Sequence, residues 1–256
     1  MFRLCLPARQ RAAGESSGAA ALWLAGTVSD VSEIRQQKAE LRARLLAARA
    51  RLTADERAAA GRLIRDAVLS LPEVQMAGTV AAYYSVGAEP GTRGLVYALW
   101  KRGTYVLLPL LRPDGDLDWA SYEGPDSLVP GPRGLREPGE PARGIEAVTR
   151  ADVVLAPALA VDHVGNRLGR GGGSYDRALA RVGPLIPVIA LLYDAELLGH
   201  VPAESHDTPV RAVVRPASGI TLLPAGPHPP PRTTPEAESR THLRGWICLA
   251  VAYGEC

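Results

Sequence analysis

The chain has little cysteine and very little lysine. Its three cysteines, Cys5, Cys248 and Cys256, lie near the ends of a 256-residue sequence, and no two of them have the C-x-x-C spacing. This arrangement excludes a disulfide scaffold and a cysteine-based zinc site, and it favours a reducing compartment, which we expect to be the cytoplasm. Among the 29 basic residues only Lys38 and Lys101 are lysines, so each of them is a candidate for a specific role.

Long apolar runs and an excess of one charge are also absent. The longest apolar run near the start, residues 19–26, is too short to span a bilayer. The 29 basic and 27 acidic residues give a formal net charge of +2, which argues against nucleic acid or an anionic membrane as the main partner. We therefore expect neither partner, and we expect a monomer or a weak homodimer that acts on small molecules.

The signatures of several enzyme classes are missing. The sequence contains no H-E-x-x-H motif and no cysteine with a plausible base beside it, and its single G-x-S-x-G match, residues 14–18, lies in the aperiodic N-terminal part, outside any predicted strand-to-helix turn. Hydrolysis through a nucleophile supplied by the protein therefore has little support.

The sequence divides into three parts. Residues 1–29 are rich in Arg, Ala, Gly and Ser without a period, and residues 219–256 accumulate proline in an aperiodic stretch. We expect both ends to be disordered. The central part, residues 30–218, is expected to fold as a single domain.

The central part opens with two amphipathic helices, for which Asp30 and Thr53 are the predicted capping residues. Strands and helices then alternate, and the last predicted helix is a short one at residues 195–198. A Pro/Gly-rich surface loop at residues 124–144 interrupts the alternation. This alternation predicts an α/β fold with a mostly parallel sheet flanked by helices. Ligands are expected beyond the carboxyl ends of the strands.

Residues 165–176, GNRLGRGGGSYD, form the most informative segment, and five of these twelve residues are glycine. Glycines let backbone N–H groups approach an anion, the following helix adds a partial positive charge, and Arg167 and Arg170 can fork onto phosphate oxygens. The segment lacks the Gly-Lys-Ser/Thr ending of a Walker A loop and the G-x-G-x-x-G spacing. Its composition favours a site for nucleotide phosphates over a flexible surface turn.

Acidic and basic residues elsewhere fit the same chemistry. Asp176, in the first turn of a predicted helix, and Asp207, in a turn, have ordinary structural explanations one by one. As a pair they suit Mg²⁺, which needs only one or two protein carboxylates beside phosphate oxygens and water. Glu89 follows the first predicted strand, where either a ligand contact or a turn is expected. Lys38 and Arg42 share one helix face, a pattern most often found on solvated surface.

Together these segments resemble the 5-formyltetrahydrofolate cyclo-ligase family, also called methenyltetrahydrofolate synthetases. The resemblance covers about residues 31–216 and rests on K-x-x-L-R from Lys38, Y…E-x-x-T from Tyr84, NRLGRGGGSYDR from Asn166 and the His-Asp pair that ends at Asp207. It implies an ATP-dependent ring closure of 5-formyltetrahydrofolate to 5,10-methenyltetrahydrofolate, with release of ADP and phosphate. It also implies an α/β fold related to sugar-phosphate isomerases and CoA transferases.

The resemblance further implies a role for each matching residue. The residues that would contact ATP are Lys38, Arg42, Arg167, Leu168, Gly169, Arg170, Gly171, Gly172, Gly173, Ser174 and Tyr175. Those that would contact the reduced folate are Tyr84, Glu89, Arg170, Gly171, Gly172, Gly173 and Ser174. Asp176 and Asp207 would bind Mg²⁺, and Arg170 and Asp176 would act in catalysis. Ser174 departs from the family pattern, which commonly has the first of two tyrosines at this position.

Two other functions stay open at the level of the sequence. A shared fold does not fix function, so a sugar-phosphate isomerase or an acyl-CoA enzyme on the same architecture would act without ATP. A module that binds folate or nucleotide without turnover would keep the glycine-rich segment, and Ser174 is the main reason to consider it.

Overall fold

The computed structural model describes residues 17–204 and 207–224, with side chains from residue 32 onward. The helices are α1 Ser17–Ala50, α2 Ala54–Leu69, α3 Pro72–Met76, α4 Arg93–Lys101 and α5 Ser174–Leu179. The strands are β1 Thr79–Ala81, β2 Tyr105–Leu111, β3 Leu117–Ser121, β4 Leu128–Pro130, β5 Arg136–Pro138, β6 Val153–Pro157, β7 Ala160–Asp162, β8 Arg167–Leu168, β9 Val188–Leu191, β10 Leu197–Leu198, β11 Ala212–Arg215 and β12 Gly219–Leu222.

A seven-stranded sheet in the order β12-β11-β9-β6-β1-β2-β3 organises this part of the chain. Its five central strands are parallel, and β3 and β12 pair antiparallel at the two edges. In chain order the parallel strands stand as 2-1-3-4-5, so the winding direction reverses between β1 and β6. The predicted α/β fold with a mostly parallel sheet flanked by helices is confirmed. Its topology opens a crevice at the carboxyl ends of the strands beside the reversal.

Both faces of the sheet are covered by apolar side chains. Along β6, Val153 and Leu155 pack into the cluster that contains α2 and α4, whereas Val154 and Ala156 pack into the cluster on the α5 side. Successive strand residues point to opposite faces, so a strand that is buried on both sides must be apolar throughout. Burial on both faces therefore accounts for the continuous apolar sequence of β6.

The helix boundary predicted at Thr53 is confirmed. Thr53 caps α2 through its side chain, which accepts a hydrogen bond from Glu56 N at 3.2 Å, and Glu56 Oε2 accepts one from Thr53 N at 2.7 Å. Helix α4 ends just before Gly103, whose φ of +88° is a left-handed conformation that favours glycine.

Helix α1 begins at Ser17 and not at the capping residue predicted at Asp30, which lies inside the helix. Residues 17–29 therefore continue the helix instead of forming a disordered extension, and residues 1–16 lie outside the described residues. The Ala- and Leu-rich composition of residues 19–25 has a high helix propensity, which accounts for the difference. None of the described helices, α1 included, combines the length and the apolar character needed to cross a membrane.

The domain boundary predicted at residue 218 is too early. Residues 219–222 form β12, in which Gly219 stands opposite Arg215 and Leu222 opposite Ala212. The short run I-T-L-L is too brief to show a period within a proline-rich tail, and its ordering comes from backbone pairing with β11. Residues 225–256, the rest of the predicted disordered tail, lie outside the described residues.

Two smaller assemblies were not predicted. The expected surface loop at residues 124–144 contains the antiparallel hairpin β4–β5. The short helix expected at residues 195–198 is a 3-10 turn at Asp194–Glu196 followed by β10, which pairs with β7 in a three-stranded sheet, and Leu45 of α1 packs against that sheet. Strands of two or three residues carry too little pattern to be recognised from sequence.

Removal of β12 tests the corrected boundary. We expect a chain ending at Ser218 to unfold at lower denaturant than a chain ending at Pro224, by on the order of 2 kcal/mol, because edge hydrogen bonds to β11 are lost. Urea denaturation followed by circular dichroism measures the difference, and the chain ending at Pro224 is the control for loss of residues 225–256. Equal midpoints for the two chains would contradict a stabilising role for β12.

Candidate functional site

A cavity of about 440 Å³ lies at the carboxyl ends of β1, β2 and β6. Tyr83 and Tyr84 line it just after β1, Pro109 and Leu111 line it from β2, and Pro157 lines it at the end of β6. This position is beside the winding reversal, and the volume suits a small-molecule ligand.

The glycine-rich loop between β8 and α5 forms one wall of the cavity. Gly171 and Gly173 have φ values of +98° and +67°, which side-chain-bearing residues rarely adopt. A Cβ on Gly169 would lie 3.0 Å from Nη1 of Arg167, so glycine at this position lets the loop pass close to the guanidinium. The loop thus exposes its backbone to the cavity, as an anion-binding loop requires.

Three arginines surround this loop. Arg167 is buried: its Nη1 donates to the carbonyl oxygen of Pro157 at 3.0 Å, and its Nη2 forms an ion pair with Asp176 Oδ1. Arg42 Nε donates to the carbonyl oxygen of Gly169 at 3.0 Å from the α1 side. Arg170 is 58% exposed and contacts Glu89 Oε1 at 3.4 Å across the cavity.

The loop after β1 is held by paired hydroxyl groups. Ser85 N donates to Thr92 Oγ1 at 2.9 Å, Thr92 N donates to Ser85 Oγ at 3.0 Å, and Thr92 Oγ1 donates to the carbonyl oxygen of Tyr83 at 2.6 Å. These bonds close the loop that carries Glu89. Thr92 therefore belongs to the scaffold of this loop, and Glu89 and Tyr84 face the cavity.

Three buried polar atoms among the cavity-lining residues have no hydrogen-bond partner in the described part of the chain. They are the hydroxyl groups of Tyr83 and Tyr175 and Nε of Arg167. Burial raises the pKa of both tyrosines well above the ordinary value, so both phenols stay protonated at neutral pH. Because an unsatisfied buried polar atom destabilises the folded state, these three atoms point to a polar ligand.

A buried ion pair between Arg49 and Glu196 supports the inner side of the cavity. Arg49 Nε and Nη2 donate to the two carboxylate oxygens of Glu196 at 2.7 and 2.8 Å, and Nη2 also donates to the carbonyl oxygen of Ala158 at 2.6 Å. Burial opposes the charge on Arg49, but the hydrogen bonds and charge of Glu196 outweigh it and raise the pKa of Arg49. Sequence analysis missed both residues, because no local pattern connects them.

Lys38 is buried and not part of a solvated helix surface. Its Nζ contacts Glu204 Oε2 at 2.8 Å and Asp207 Oδ2 at 2.6 Å. It lies one helical turn before Arg42 on α1, outside the cavity lining. The ion pairs tie α1 to the turn that contains Asp207.

Asn166, at the start of the matched motif, has a structural role. The buried carboxylate of Asp162 accepts hydrogen bonds from Asn166 N and Asn166 Nδ2, both at 2.9 Å, and from Val201 N at 3.1 Å. The motif therefore begins with a residue that closes the turn between β7 and β8.

Ser174, the departure from the family pattern, is used to hold the loop. Its Oγ donates to the carbonyl oxygen of Gly115 at 2.5 Å, in the turn before β3. The side chain of Arg177 donates to the same oxygen. The serine thus links the start of α5 to the edge of the main sheet.

Most of the predicted site residues come together in the cavity, and four do not line it. Leu168 packs its side chain against Leu45, and Lys38, Arg42 and Asp207 lie on the α1 side of the loop. Those that line the cavity are Tyr84, Glu89, Arg167, Gly169, Arg170, Gly171, Gly172, Gly173, Ser174, Tyr175 and Asp176.

Of the two carboxylates predicted to hold a metal, Asp176 is paired with Arg167 and Asp207 with Lys38. No group of three or more His, Cys, Asp or Glu side chains in the described ranges could hold a metal. Asp176 lines the cavity, and one carboxylate there suits Mg²⁺ when phosphate oxygens and water complete the shell. Asp207 is bound to Lys38, and its sharing of a metal with Asp176 stays a prediction.

A second cavity, of about 400 Å³, lies on the other side of the loop after β1. Its basic lining residues are Arg57, Arg62, Arg65 and Arg93, and it shares Glu89 with the first cavity. Arg93 lies over the ring of Tyr84 at 5.3 Å. The second cavity is therefore an alternative location to the first cavity for an anionic group.

The comparisons with known proteins agree with the motifs. The model of the 5-formyltetrahydrofolate cyclo-ligase family matches residues 34–216. The chain is 46% identical over 150 residues to the 5-formyltetrahydrofolate cyclo-ligase of Mycolicibacterium smegmatis, and the aligned region covers 57% of this chain and 77% of that protein. It is 34% identical over 173 residues to the 5-formyltetrahydrofolate cyclo-ligase of Escherichia coli, and that alignment covers 65% of this chain and 93% of that protein. The resemblance inferred from the motifs is confirmed.

Solved structures support the same relationship. The NMR structure of Aquifex aeolicus 5,10-methenyltetrahydrofolate synthetase aligns with a TM-score of 0.65 and 28% identity, covering 74% of this chain and 94% of that chain. A 5,10-methenyltetrahydrofolate synthetase from Mycoplasma pneumoniae aligns with a TM-score of 0.55 and 19% identity, covering 69% and 96%, and shows the likeness of fold alone.

Replacement of one partner in the buried ion pair tests its structural importance. We expect Glu196→Gln to destabilise the protein by about 3–5 kcal/mol, because it leaves the Arg49 guanidinium charged and uncompensated in a buried position. Denaturation midpoints measure this loss. The double variant Arg49→Met/Glu196→Leu is the control and is expected to be more stable than the single variant. A single variant as stable as wild type would refute the assigned role.

Proposed function

Because this chain belongs to the 5-formyltetrahydrofolate cyclo-ligase family, we propose that it converts 5-formyltetrahydrofolate into 5,10-methenyltetrahydrofolate in a reaction that consumes ATP and requires Mg²⁺. The observation that carries this proposal is one cavity that combines a glycine loop lined by arginines with Tyr84 and Glu89. Such a cavity offers a phosphate-binding wall and a wall for a flat heterocycle. The products are the methenyl compound, ADP and phosphate, which places the enzyme in folate metabolism.

The chemistry needs no nucleophile from the protein. The formyl oxygen of the substrate attacks the terminal phosphorus of ATP and ADP leaves. N10 of the same substrate then attacks the formyl carbon, phosphate leaves, and N10 loses its proton. Among the described residues that line the cavity there is no histidine, cysteine or lysine. This lining suits a reaction that depends on positioning and charge neutralisation.

The glycine loop is the proposed site for the phosphates. The exposed backbone of Gly171, Gly172 and Gly173 supplies N–H donors, and Arg167 and Arg170 supply positive charge that can follow the transferring phosphoryl group. Arg170 already bridges toward Glu89 at 3.4 Å, so it is placed between the two proposed substrate sites. We assign it the catalytic role of stabilising negative charge on the transferred group.

Glu89 and Tyr84 form the proposed folate wall. Glu89 Oε2 accepts a hydrogen bond from Val86 N at 3.0 Å, which fixes the carboxylate, and among the described residues its Oε1 has only the long contact to Arg170. An oriented carboxylate oxygen can accept N–H groups from a pterin ring, and Tyr84 offers an apolar ring beside it. The buried phenol of Tyr175 supplies a further donor.

The α1 side supports the nucleotide indirectly. Arg42 holds the carbonyl oxygen of Gly169, and Lys38 holds the turn that contains Asp207. In this proposal both cations position the loops around the phosphates. Asp176 is the proposed Mg²⁺ ligand, with Asp207 as a predicted second one. Mg²⁺ supplies neutralisation of the phosphate charge when it is bound.

The proposed reaction is tested by absorbance. The purified full chain is incubated with 5-formyltetrahydrofolate and Mg²⁺, with and without ATP, and the near-ultraviolet band of the methenyl product is followed. We expect the band only with ATP. Product without ATP would contradict the proposed role of ATP, and ATP binding without product would favour a binding module.

The role of Asp176 is tested separately from folding. We expect Asp176→Asn to raise the Mg²⁺ concentration for half-maximal turnover about tenfold to a hundredfold, because a charged metal ligand is lost. Asp116→Asn is the matched control, since Asp116 also pairs with an arginine, Arg181, but does not line the cavity. A Mg²⁺ dependence unchanged in Asp176→Asn, with melting temperature retained, would remove this residue from the metal role.

A further inference from the structure

Two arginines of the β4–β5 hairpin line the mouth of the cavity. Arg133, in the turn, and Arg136, at the start of β5, are both exposed and both belong to the lining of the first cavity. The sequence predicted only a surface loop here. We call Arg133 and Arg136 the hairpin arginines.

The hairpin is anchored to the main sheet. Leu111 N, at the end of β2, donates to Glu137 Oε1 at 2.8 Å, and the ends of the hairpin are joined to each other by Gly139 N, which donates to the carbonyl oxygen of Ser127 at 2.7 Å. Gly131 packs so closely that a Cβ there would lie 2.6 Å from Cδ of Glu137. The arginines are therefore carried by a fixed element at the end of a central strand.

The backbone of Arg133 is unusual. Its φ and ψ of 55° and 28° make it the one residue other than glycine with a positive φ among residues 17–204 and 207–224. A left-handed conformation costs on the order of 1 kcal/mol for a residue with a side chain, and glycine would avoid this cost.

The hairpin arginines differ from the other cationic groups of the cavity in their partners. Arg49 is paired with Glu196, Arg167 with Asp176 and Arg170 with Glu89. Arg136 Nη2 donates to the carbonyl oxygen of Leu128 at 3.2 Å, and in the described part of the chain no carboxylate forms an ion pair with either hairpin arginine. The mouth of the cavity thus carries two positive charges without acidic partners.

We propose that the hairpin arginines bind the glutamyl end of the folate substrate. This inference rests on the proposed function, because it assumes that a reduced folate enters the cavity. The glutamyl group carries two carboxylates at the end of the molecule opposite to the pterin. Two guanidinium groups at the cavity mouth match this pair of anions, and the pterin can then lie inside, beside Glu89 and the glycine loop.

The test compares two ligands that differ only at this end. 5-Formyltetrahydrofolate carries the glutamyl group, and 5-formyltetrahydropteroate lacks it. The test variant is Arg133→Gly/Arg136→Ala in the full chain. Glycine at residue 133 accepts the positive φ and therefore removes the guanidinium without adding strain. Dissociation constants are measured by calorimetry, and KM and kcat by the absorbance assay.

We expect the variant to weaken binding of 5-formyltetrahydrofolate about tenfold or more, because charge-assisted hydrogen bonds are lost. Binding of 5-formyltetrahydropteroate, the KM for ATP and kcat are expected to change less than about twofold, since these do not involve the glutamyl carboxylates. Arg133→Lys/Arg136→Lys is expected to retain part of the affinity, because it keeps the charge but not the planar fork.

Two control variants separate this location from others. Arg44→Ala/Arg150→Ala removes two exposed charges away from both cavities and is expected to have no effect on either ligand. Arg62→Ala/Arg65→Ala removes two charges from the second cavity. The proposal is overturned if Arg62→Ala/Arg65→Ala weakens binding of 5-formyltetrahydrofolate but not of 5-formyltetrahydropteroate, while the hairpin variant changes the binding of neither.

Equal weakening of both folate ligands in the hairpin variant, or an increase in the KM for ATP alone, also overturns it. The binding measurement keeps the two proposals distinguishable. If the wild-type chain binds both ligands without forming product, the catalytic proposal fails while the hairpin comparison still decides the glutamyl site. If the wild-type chain binds neither ligand, both proposals fail.

Discussion

The buried guanidinium of Arg167 joins the end of β6 to the start of α5, and the shape of the candidate active site depends on this connection. It donates to the carbonyl oxygen of Pro157, pairs with Asp176 and passes beside Gly169. A buried arginine is tolerated only when most of its donors have partners. Its Nε, which has none among the described residues, belongs to the cavity lining. The same group therefore shapes the glycine loop and offers a donor to a ligand.

Helix α1 acts as a second organising element because three of its cations hold three different loops. Lys38 binds the turn that contains Asp207, Arg42 binds the glycine loop at Gly169, and Arg49 binds Ala158 and Glu196. Spacings of four and seven residues place these cations on one helix face. A long helix that contacts the sheet through few apolar residues is thus attached through ion pairs and hydrogen bonds to the loops that surround the cavity.

The positive charge of this nearly neutral protein is distributed unevenly. The formal net charge is +2, yet five arginines line the first cavity. Three of them are neutralised by carboxylates that also fix their geometry. The hairpin arginines form no ion pair with a carboxylate of the described residues, so their charges at the cavity are not neutralised in this way. This arrangement suits recognition of a substrate with charged ends without a general affinity for polyanions.

The α/β architecture, the glycine loop and the family could be predicted from the amino-acid sequence, because they depend on periodicity and on residues that are close along the chain. The positions of Glu89 and Asp176 beside the cavity follow from their places after a strand and at the start of a helix. The burial of Lys38, the Arg49–Glu196 pair and the strand β12 were decided only by the tertiary structure. Arg49 and Glu196 are 147 residues apart, and no local pattern connects charges over such a separation. The position of the hairpin arginines beside the cavity was also not predictable from the sequence. It depends on the hydrogen bond from Leu111 N of β2 to Glu137, two residues that are far apart along the chain.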